Sequence, residues 1–289
     1  MTAEQIMADD PFGPQFDAKF AALDERPGFT GVAEDRDAAG LLLRRTDYVA
    51  GLPQGVSEAY GPDGSVIQRA RYGAGLLDGS VEHYEDGALV QRVAFQAGLK
   101  QGPAERFQAG VLVQRAQYKA DLLDGVVENY GPDGTPLLTL PHLAGKPHGR
   151  AVVYEKGQPQ ALLDYKDGLL DGDLITISPF GKPMARLPHV AGQKHGIARF
   201  YDLDGNPVRE ESWVSGKLEG ETREFLPDGT LIKEQPFHAD KLDGEVVEYN
   251  HKAKETFRQR FRDGEPTGPK LEKTTFGHRE VGRKDEDEK

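Results

Sequence analysis

The chain contains no cysteine, and nothing in it approaches the roughly 18 consecutive apolar residues of a membrane-spanning helix. Without cysteine there is no disulfide, no thiolate metal site and no cysteine nucleophile, which agrees with a reducing compartment. The opening residues, MTAEQIMADDPFGPQF, lack the basic and apolar regions of a secretory signal. These absences predict a soluble cytoplasmic protein without membrane insertion.

Material for a deep core and for catalysis is also scarce. Apolar residues make up 37% of the chain, below the roughly 45–50% of average domains, a benchmark that also counts glycine. There is no G-x-S-x-G, Walker or H-E-x-x-H motif. We therefore expect no enzyme activity, no cofactor and no metal.

The net charge is −12, from 48 acidic and 36 basic residues. This charge repels phosphate backbones and anionic lipids, so a nucleic-acid partner is not expected. A basic protein partner would be attracted.

What the chain has is glycine, 35 residues of it, and 19 prolines. One group of glycines, which we call the anchor glycines, recurs every 23 or 24 residues. The anchor glycines are Gly31, Gly55, Gly79, Gly102, Gly125, Gly149, Gly172, Gly196, Gly220, Gly244 and Gly268.

Aromatic residues recur in the same period, in two sets. The first rings come five residues after an anchor glycine, where Ile177 is a substitute: Tyr60, Tyr84, Phe107, Tyr130, Tyr154, Tyr201, Phe225 and Tyr249. The closing rings end the second run of each unit, and histidine takes the place twice: Tyr48, Tyr72, Phe95, Tyr118, His142, Tyr165, His189, Trp213, Phe237 and Phe261.

Each unit is two short alternating runs separated by turn signals, which predicts a β-hairpin. Asp86-Gly87 is expected to turn the chain within a hairpin, and Asp78-Gly79 to turn it into the next one. Units with a Gly-Pro-Asp-Gly turn have one more residue than units with Glu-Asp-Gly, which explains the wavering period.

The predicted fold is all-β: an elongated, single-layer antiparallel meander of about ten hairpins, twisted or curved, without a central globular core. At ~4.8 Å between strands the ribbon would be of order 95 Å long. We assign residues 1–28 to an N-terminal cap with a short helix at 15–24, residues 29–268 to the repeat array, and residues 269–289 to a charged, disordered tail.

The recurring pattern, as in Y84-E-D-G-A-L89 and W213-V-S-G-K-L-E-G220, resembles the MORN repeat, in the shorter variant of bacterial proteins grouped as the YwqK antitoxin family. The resemblance runs over residues 29–263. It implies hairpins laid side by side and an antitoxin or immunity role against a toxin, including effectors of type VI or contact-dependent secretion.

Glutamates recur three residues after four anchor glycines, at Glu58, Glu82, Glu105 and Glu128. They predict a row with roughly 10 Å between members. The row is either an acidic stripe for a basic partner or is neutralised diagonally by Arg69, Arg92 and Arg115. Glu128 lacks such an arginine, because Thr139 replaces it, and we expect it to be the most available.

Two histidine pairs look like metal ligands: His142 with His148, and His189 with His195. Equivalent atoms of the two pairs would lie ~19 Å apart and cannot share one ion. Duplication of a two-hairpin block explains the pattern better.

The aromatic rows, which could also be stacking platforms for single-stranded nucleic acid, are interpreted as the packing layer of the sheet. Some units are apolar on both faces of a strand, around Tyr154 and around Phe200-Tyr201. One face there is a candidate contact surface, with Trp213 as an anchor. A sheet that coils over itself is the alternative.

Two functions are open. One is a non-enzymatic protein, monomeric or homodimeric, that neutralises a cognate toxin by binding it. The other is a scaffold that organises a protein or membrane-associated complex.

Overall fold

A computed structural model describes Phe12, residues 23–274 and residues 277–281. Every regular element in these ranges is a β-strand, and 27 strands are present. The chain divides into two compact units, Met1–Pro147 and His148–Lys289, which we call unit 1 and unit 2. The predicted all-β class is confirmed.

The first strand of unit 1 carries the first anchor glycine. Its strands are β1 (Gly31–Arg36), β2 (Leu42–Val49), β3 (Leu52–Tyr60), β4 (Val66–Gly73), β5 (Leu76–Glu85), β6 (Ala88–Gln96), β7 (Leu99–Gln108), β8 (Val111–Lys119), β9 (Leu122–Leu123), β10 (Gly125–Tyr130), β11 (Pro136–Leu143) and β12 (Lys146–Pro147).

Unit 2 repeats the same alternation of hairpins and short connections. Its strands are β13 (Gly149–Glu155), β14 (Gln158–Lys166), β15 (Leu169–Ile177), β16 (Pro183–Val190), β17 (Gln193–Lys194), β18 (Gly196–Tyr201), β19 (Pro207–Val214), β20 (Lys217–Phe225), β21 (Leu231–His238), β22 (Lys241–Leu242), β23 (Gly244–Tyr249), β24 (Glu255–Arg262), β25 (Glu265–Pro266), β26 (Lys270–Thr274) and β27 (Gly277–Val281).

Within each unit the strands form an antiparallel meander. Strand β4 pairs with β3 on one side and β5 on the other, and β14 likewise pairs with β13 and β15. Some two-residue strands continue after one residue into the next: β9 and β10 both pair with β8. Such pairs act as one bulged strand.

The connections between hairpins are two-residue turns. Ala74 has φ 47° and Gly75 has φ 84°, the two consecutive positive values that a type I′ turn requires. Asp78-Gly79 was predicted to make this turn, and that prediction is wrong, since both residues lie inside β5. Alanine rarely adopts positive φ, so the sequence favoured the Asp-Gly pair.

The turns within hairpins behave as expected. In the longer version the Gly64 amide donates to the Gly61 carbonyl at 3.0 Å, and the Asp63 carboxylate accepts the Ser65 amide at 3.0 Å. In the shorter version Asp86 and Gly87 both have positive φ. The two turn lengths account for the one-residue difference in length between repeats.

Successive connections are also stacked by hydrogen bonds. The Gly75 amide donates to the Pro53 carbonyl at 2.9 Å, and the Gly98 amide donates to the Leu77 carbonyl at 2.8 Å. Gly192 donates in the same way to Leu170 at 2.7 Å. Each connecting turn is therefore hydrogen-bonded to the strand that follows the preceding connecting turn.

The anchor glycines lie directly opposite the closing rings. Gly79, with φ 125°, forms a bulge in which the register jumps from Ala70↔Val81 to Tyr72↔Leu77. The pairs of anchor glycine and closing ring are Gly31↔Tyr48, Gly55↔Tyr72, Gly79↔Phe95, Gly102↔Tyr118, Gly125↔His142, Gly149↔Tyr165, Gly172↔His189, Gly196↔Trp213, Gly220↔Phe237 and Gly244↔Phe261.

In each unit one face of the strands, which we call the buried face, carries a row of buried residues. In unit 1 the residues Val81, Val93, Ala104 and Ala116 are successive register partners, and each is 0% exposed. The closing rings lie two residues away on the same face; Tyr118, for example, is 3% exposed. The packing role predicted for the aromatic rows therefore holds for four closing rings of unit 1, which are Tyr48, Tyr72, Phe95 and Tyr118.

Phe12, which precedes the first strand, packs on this face of unit 1. Phe12 is fully buried, its ring centroid lies 6.4 Å from that of Tyr118, and its carbonyl accepts a hydrogen bond from Lys100 Nζ at 2.6 Å. Residues 15–22 of the short helix predicted at 15–24 lie outside the described residues, and Leu23 and Asp24 are not helical.

The C-terminal boundary needs a correction. Residues 269–289 were predicted to be disordered, but β26 and β27 pair with each other from Lys270↔Val281 to Thr274↔Gly277. The eleventh anchor glycine, Gly268, opens this hairpin, whose many charges hid a short alternating pattern. Residues 282–289 lie outside the described part of the chain.

We expect Gly79→Ala to lower the free energy of unfolding by about 1–3 kcal/mol, because a side chain would be held at positive φ. An added Cβ would also lie 2.8 Å from Arg71 Cδ and 3.0 Å from Arg71 Cβ. The control is Gly268→Ala, where nothing lies within 4 Å. Urea denaturation of both variants checks this, and equal losses would contradict the bulge argument.

Glu255 ties the last hairpin to β24. Hydrogen bonds from Arg258 and then from His278, at 2.8 Å, lower the pKa of Glu255 to about 2 from its ordinary 4.5. Because the folded pKa is the lower one, this stabilisation is complete above about pH 4.5 and is lost as the pH falls towards 2. Carboxyl titration by NMR checks this; a midpoint near the ordinary value would contradict it.

Candidate functional site

A row of alternating charges crosses unit 1 on the face opposite the buried row, which we call the ladder face. Its members lie directly opposite one another in register, strand after strand. In order they are Glu34, Arg45, Glu58, Arg69, Glu82, Arg92, Glu105, Arg115 and Glu128.

Most arginines of this ladder bridge two glutamates. Arg69 lies 3.0 Å from Glu58 and 3.8 Å from Glu82. Arg92 lies 3.1 Å from Glu82 and 3.6 Å from Glu105. Each exposed pair contributes little alone, so the ladder acts as a network that fixes register.

The first rings support the same row. Tyr60 donates its hydroxyl to Glu58 at 2.8 Å, and Tyr84 donates to Glu82 at 2.7 Å. The Tyr60 bond, together with Arg69, holds the pKa of Glu58 below its ordinary value, while burial and then Glu58 raise the pKa of Tyr60. The first rings therefore belong to the ladder face and not to the buried packing layer.

The predicted acidic row thus exists, but two details change. The arginines lie directly opposite the glutamates rather than diagonally, because the bulge at each anchor glycine shifts the register. Glu128 does face Thr139, as expected, yet its other neighbour is Arg115 at 3.7 Å. Glu128 is therefore the half-paired end of a neutralised ladder.

The same row in unit 2 begins without charge. Val152 lies opposite Leu162, and Leu162 lies opposite Ile175, so three successive ladder positions are aliphatic and half-buried. Alternation places Tyr154 on this face, two residues from Val152. We call Val152, Leu162 and Ile175 the apolar gap.

Paired charges resume beyond the apolar gap. Arg186 lies opposite Ile175 and bonds Asp173 at 2.9 Å. Arg199 pairs with Glu210 at 2.7 Å. The apolar gap is therefore bounded on its far side by a charged row.

Phe200, Tyr201 and Trp213, predicted as contact residues, divide between the two faces. Alternation places Phe200 and Trp213 on the buried face with Ala198, and Tyr201 on the ladder face with Arg199. Phe200 and Trp213 therefore share one face of unit 2, where Trp213 lies opposite Gly196 and Phe200 lies opposite Arg209, while Glu128 belongs to unit 1.

The Trp213 ring is surrounded by charged groups. Its Nε1 donates to Glu211 at 3.1 Å, and Glu211 lies 2.8 Å from Arg209 Nε. Lys194 Nζ lies 4.1 Å from the ring centroid, a cation–π contact. Trp213 remains half-exposed.

The histidines have structural partners. His142 and His189 occupy closing-ring positions, where Nδ1 lies 2.9 and 2.8 Å from the carbonyls of Leu140 and Leu187. Burial lowers the pKa of His142. Among the described residues no group of three or more His, Cys, Asp or Glu could hold a metal ion.

His148 and His195 precede anchor glycines and accept amides of the next connecting turn. His195 Nδ1 accepts the Ser215 amide at 3.4 Å. Gln54 does the same for Ala74 at 2.7 Å, and Glu219 for Ala239 at 2.9 Å. The histidine is one of several side chains able to accept at this position.

Sequence reasoning missed Lys100 and Lys194. Both stand two residues before an anchor glycine, where the other units have Phe29, proline or leucine. That departure from the repeat was the available signal.

The described residues contain no helix that is long and apolar enough to cross a membrane.

A family model described as a MORN repeat variant matches residues 218–239, which supports a MORN-repeat protein. No curated protein matches the chain. The crystal structure of TcdB2-TccC3-Cdc42 is similar at 10% identity and TM-score 0.17, over 84% of this chain and 17% of that chain. The crystal structure of TcdB2-TccC3 is similar at 10% identity and TM-score 0.15, over 86% and 18%. Similarity this low carries no argument, and this chain spans under a fifth of either chain.

We expect Glu82→Gln to lower the free energy of unfolding by about 1 kcal/mol and Glu128→Gln by about half as much, because Glu82 has two opposed arginines and Glu128 has one. Urea denaturation at low salt and in about 1 M salt measures both, since salt screens these pairs. An equal cost for both variants, or no effect of salt, would contradict the network.

Proposed function

We propose that this chain is a non-enzymatic protein-binding protein. The observation that carries the proposal is the apolar gap, in which Val152, Leu162 and Ile175 are three successive aliphatic residues at positions that carry charges on most other strands. Aliphatic side chains that interrupt a charged sheet face are typical of contact surfaces. The MORN repeat match suggests a protein-binding or scaffold repeat protein.

The specific role that we propose is that of an antitoxin or immunity protein, which binds and neutralises a cognate bacterial toxin, including an effector of type VI or contact-dependent secretion. Its support is the resemblance of the repeat to the YwqK family. The net charge of −12 adds to it, since an acidic surface attracts a basic partner and speeds encounter. Such an inhibitor would act in the cytoplasm by direct contact and without catalysis.

A scaffold is the second candidate, and a specific observation favours it. Exposed leucines recur beside the connecting turns, among them Leu76 (52% exposed), Leu99 (45%) and Leu122 (51%). They form equivalent contact points on successive hairpins. A surface of this kind suits several identical partners better than a single toxin.

The antitoxin role is tested with the product of the neighbouring gene. We expect that product to be toxic when expressed alone, to co-purify with this chain and to be tolerated by cells that express both. Leu162→Arg with Ile175→Glu, which places a carboxylate opposite Arg186 and so extends the alternating ladder into the apolar gap, should abolish binding and rescue. A harmless neighbour that does not bind would contradict the role.

The control variant is Glu82→Gln, which changes the ladder of unit 1 and should leave rescue intact. Several captured partners and no rescue phenotype would favour the scaffold instead.

A further inference from the structure

Unit 1 binds Phe12 of its own chain on the buried face, and the contacts of this residue define a recognition site. Lys100 is 4% exposed, and its ammonium donates to the main-chain carbonyl of Phe12 at 2.6 Å. The Phe12 ring meets Tyr118 edge-on, with an interplanar angle of 84°, and lies 5.4 Å from Arg106 Cζ. Lys100 thus binds a main-chain carbonyl, and Tyr118 and Arg106 contact the aromatic ring.

Unit 2 has side chains of the same kind at the positions that correspond to this recognition site. Lys194 stands two residues before its anchor glycine as Lys100 does, and Trp213 takes the place of Tyr118 opposite that glycine. Lys194 Nζ lies 4.1 Å from the Trp213 ring, and Lys100 Nζ lies 5.4 Å from the Tyr118 ring. Lysine occurs at this position only before these two anchor glycines.

The surrounding side chains also correspond. Ala198 is 1% exposed and occupies the place of Ala104, which is fully buried. Phe200 occupies the place of Arg106, four residues after the anchor glycine. Phe12 belongs to one buried cluster with Ala104, and an aromatic ring that enters between Trp213 and Phe200 would lie beside Ala198 in the same way.

The two sites differ in occupancy. Tyr118 and Lys100 are buried beneath Phe12, whereas Trp213 and Lys194 are half-exposed. In the described part of the chain nothing takes the place of Phe12 in unit 2, and the Lys194 ammonium has no hydrogen-bond acceptor there. Glu211, which replaces Ala116, is neutralised by Arg209 at 2.8 Å. The site therefore offers one cation, two aromatic rings and no uncompensated carboxylate.

We propose that Lys194, Trp213 and Phe200 form a binding site for a peptide segment of a partner protein, in which Lys194 bonds a main-chain carbonyl and the rings hold an uncharged aromatic side chain. The inference deepens the proposed function, since it requires a protein partner. It adds a second contact, on the face opposite the apolar gap.

The chain provides both the probe and the reporter. Trp213 is its only tryptophan, so the fluorescence of the intact protein reports this site. The probe is a synthetic peptide with the sequence of residues 6–15, IMADDPFGPQ, which contains Phe12. We expect a saturable change in Trp213 emission, and the same peptide with Phe12→Ala should bind at least about tenfold more weakly.

Lys194→Met keeps the aliphatic stem and should weaken the peptide by at least about tenfold, because the ammonium–carbonyl bond is lost. Lys217→Met removes an exposed charge in the next strand and should leave affinity unchanged. Unaltered thermal melting of both variants shows that the fold is kept.

The proposal is overturned by the absence of a saturable change, by equal affinity of the two peptides, or by full affinity of Lys194→Met. The test uses no toxin, so its failure leaves the antitoxin role standing. A positive result combined with a harmless neighbouring gene product would instead retain the site and reject that role.

Discussion

A glycine at positive φ opposite an aromatic ring is the constraint on which both units depend. Gly79 can adopt its conformation only because it lacks a side chain, and its bulge lets three residues of β5 face Arg71 alone. Positive φ opposite a closing ring recurs from Gly102 to Gly244, so the hairpins that these glycines open enter the sheet in the same register. A slip of one residue would exchange the faces and expose the row that contains Val81.

Once register is fixed, the two faces are free to diverge in chemistry. In unit 1 both faces are regular. Small residues and closing rings are buried on one side, and arginines and glutamates alternate on the other. Unit 2 departs from both patterns, with the apolar gap on the ladder face and with Glu211 and a half-exposed Trp213 on the buried face. The same backbone thereby provides a regular half and a half with distinctive surfaces.

Much of this architecture could be predicted from the sequence, because glycine, proline and aromatic residues act locally. The period, the hairpins, the two turn lengths and the acidic row follow from such residues. The connecting turn at Ala74 could not be predicted, since alanine gives no signal for positive φ. The direct pairing of Arg69 with Glu82 depends on a bulge that only three-dimensional register reveals. Of the candidate site, the sequence identified Phe200 and Trp213, but it missed Lys194, whose meaning emerges from the long-range contact between Lys100 and Phe12.

The stacked turns have a consequence for how such a chain changes in evolution. The Gly98 amide requires only the carbonyl of Leu77, and the Gly75 amide requires only that of Pro53, so each repeat donates to the repeat before it and accepts from the repeat after it. Duplicating the DNA of one whole repeat would therefore yield a longer protein in which every new turn amide has a hydrogen-bond acceptor. Partial duplications would leave an amide without one, and selection would remove them.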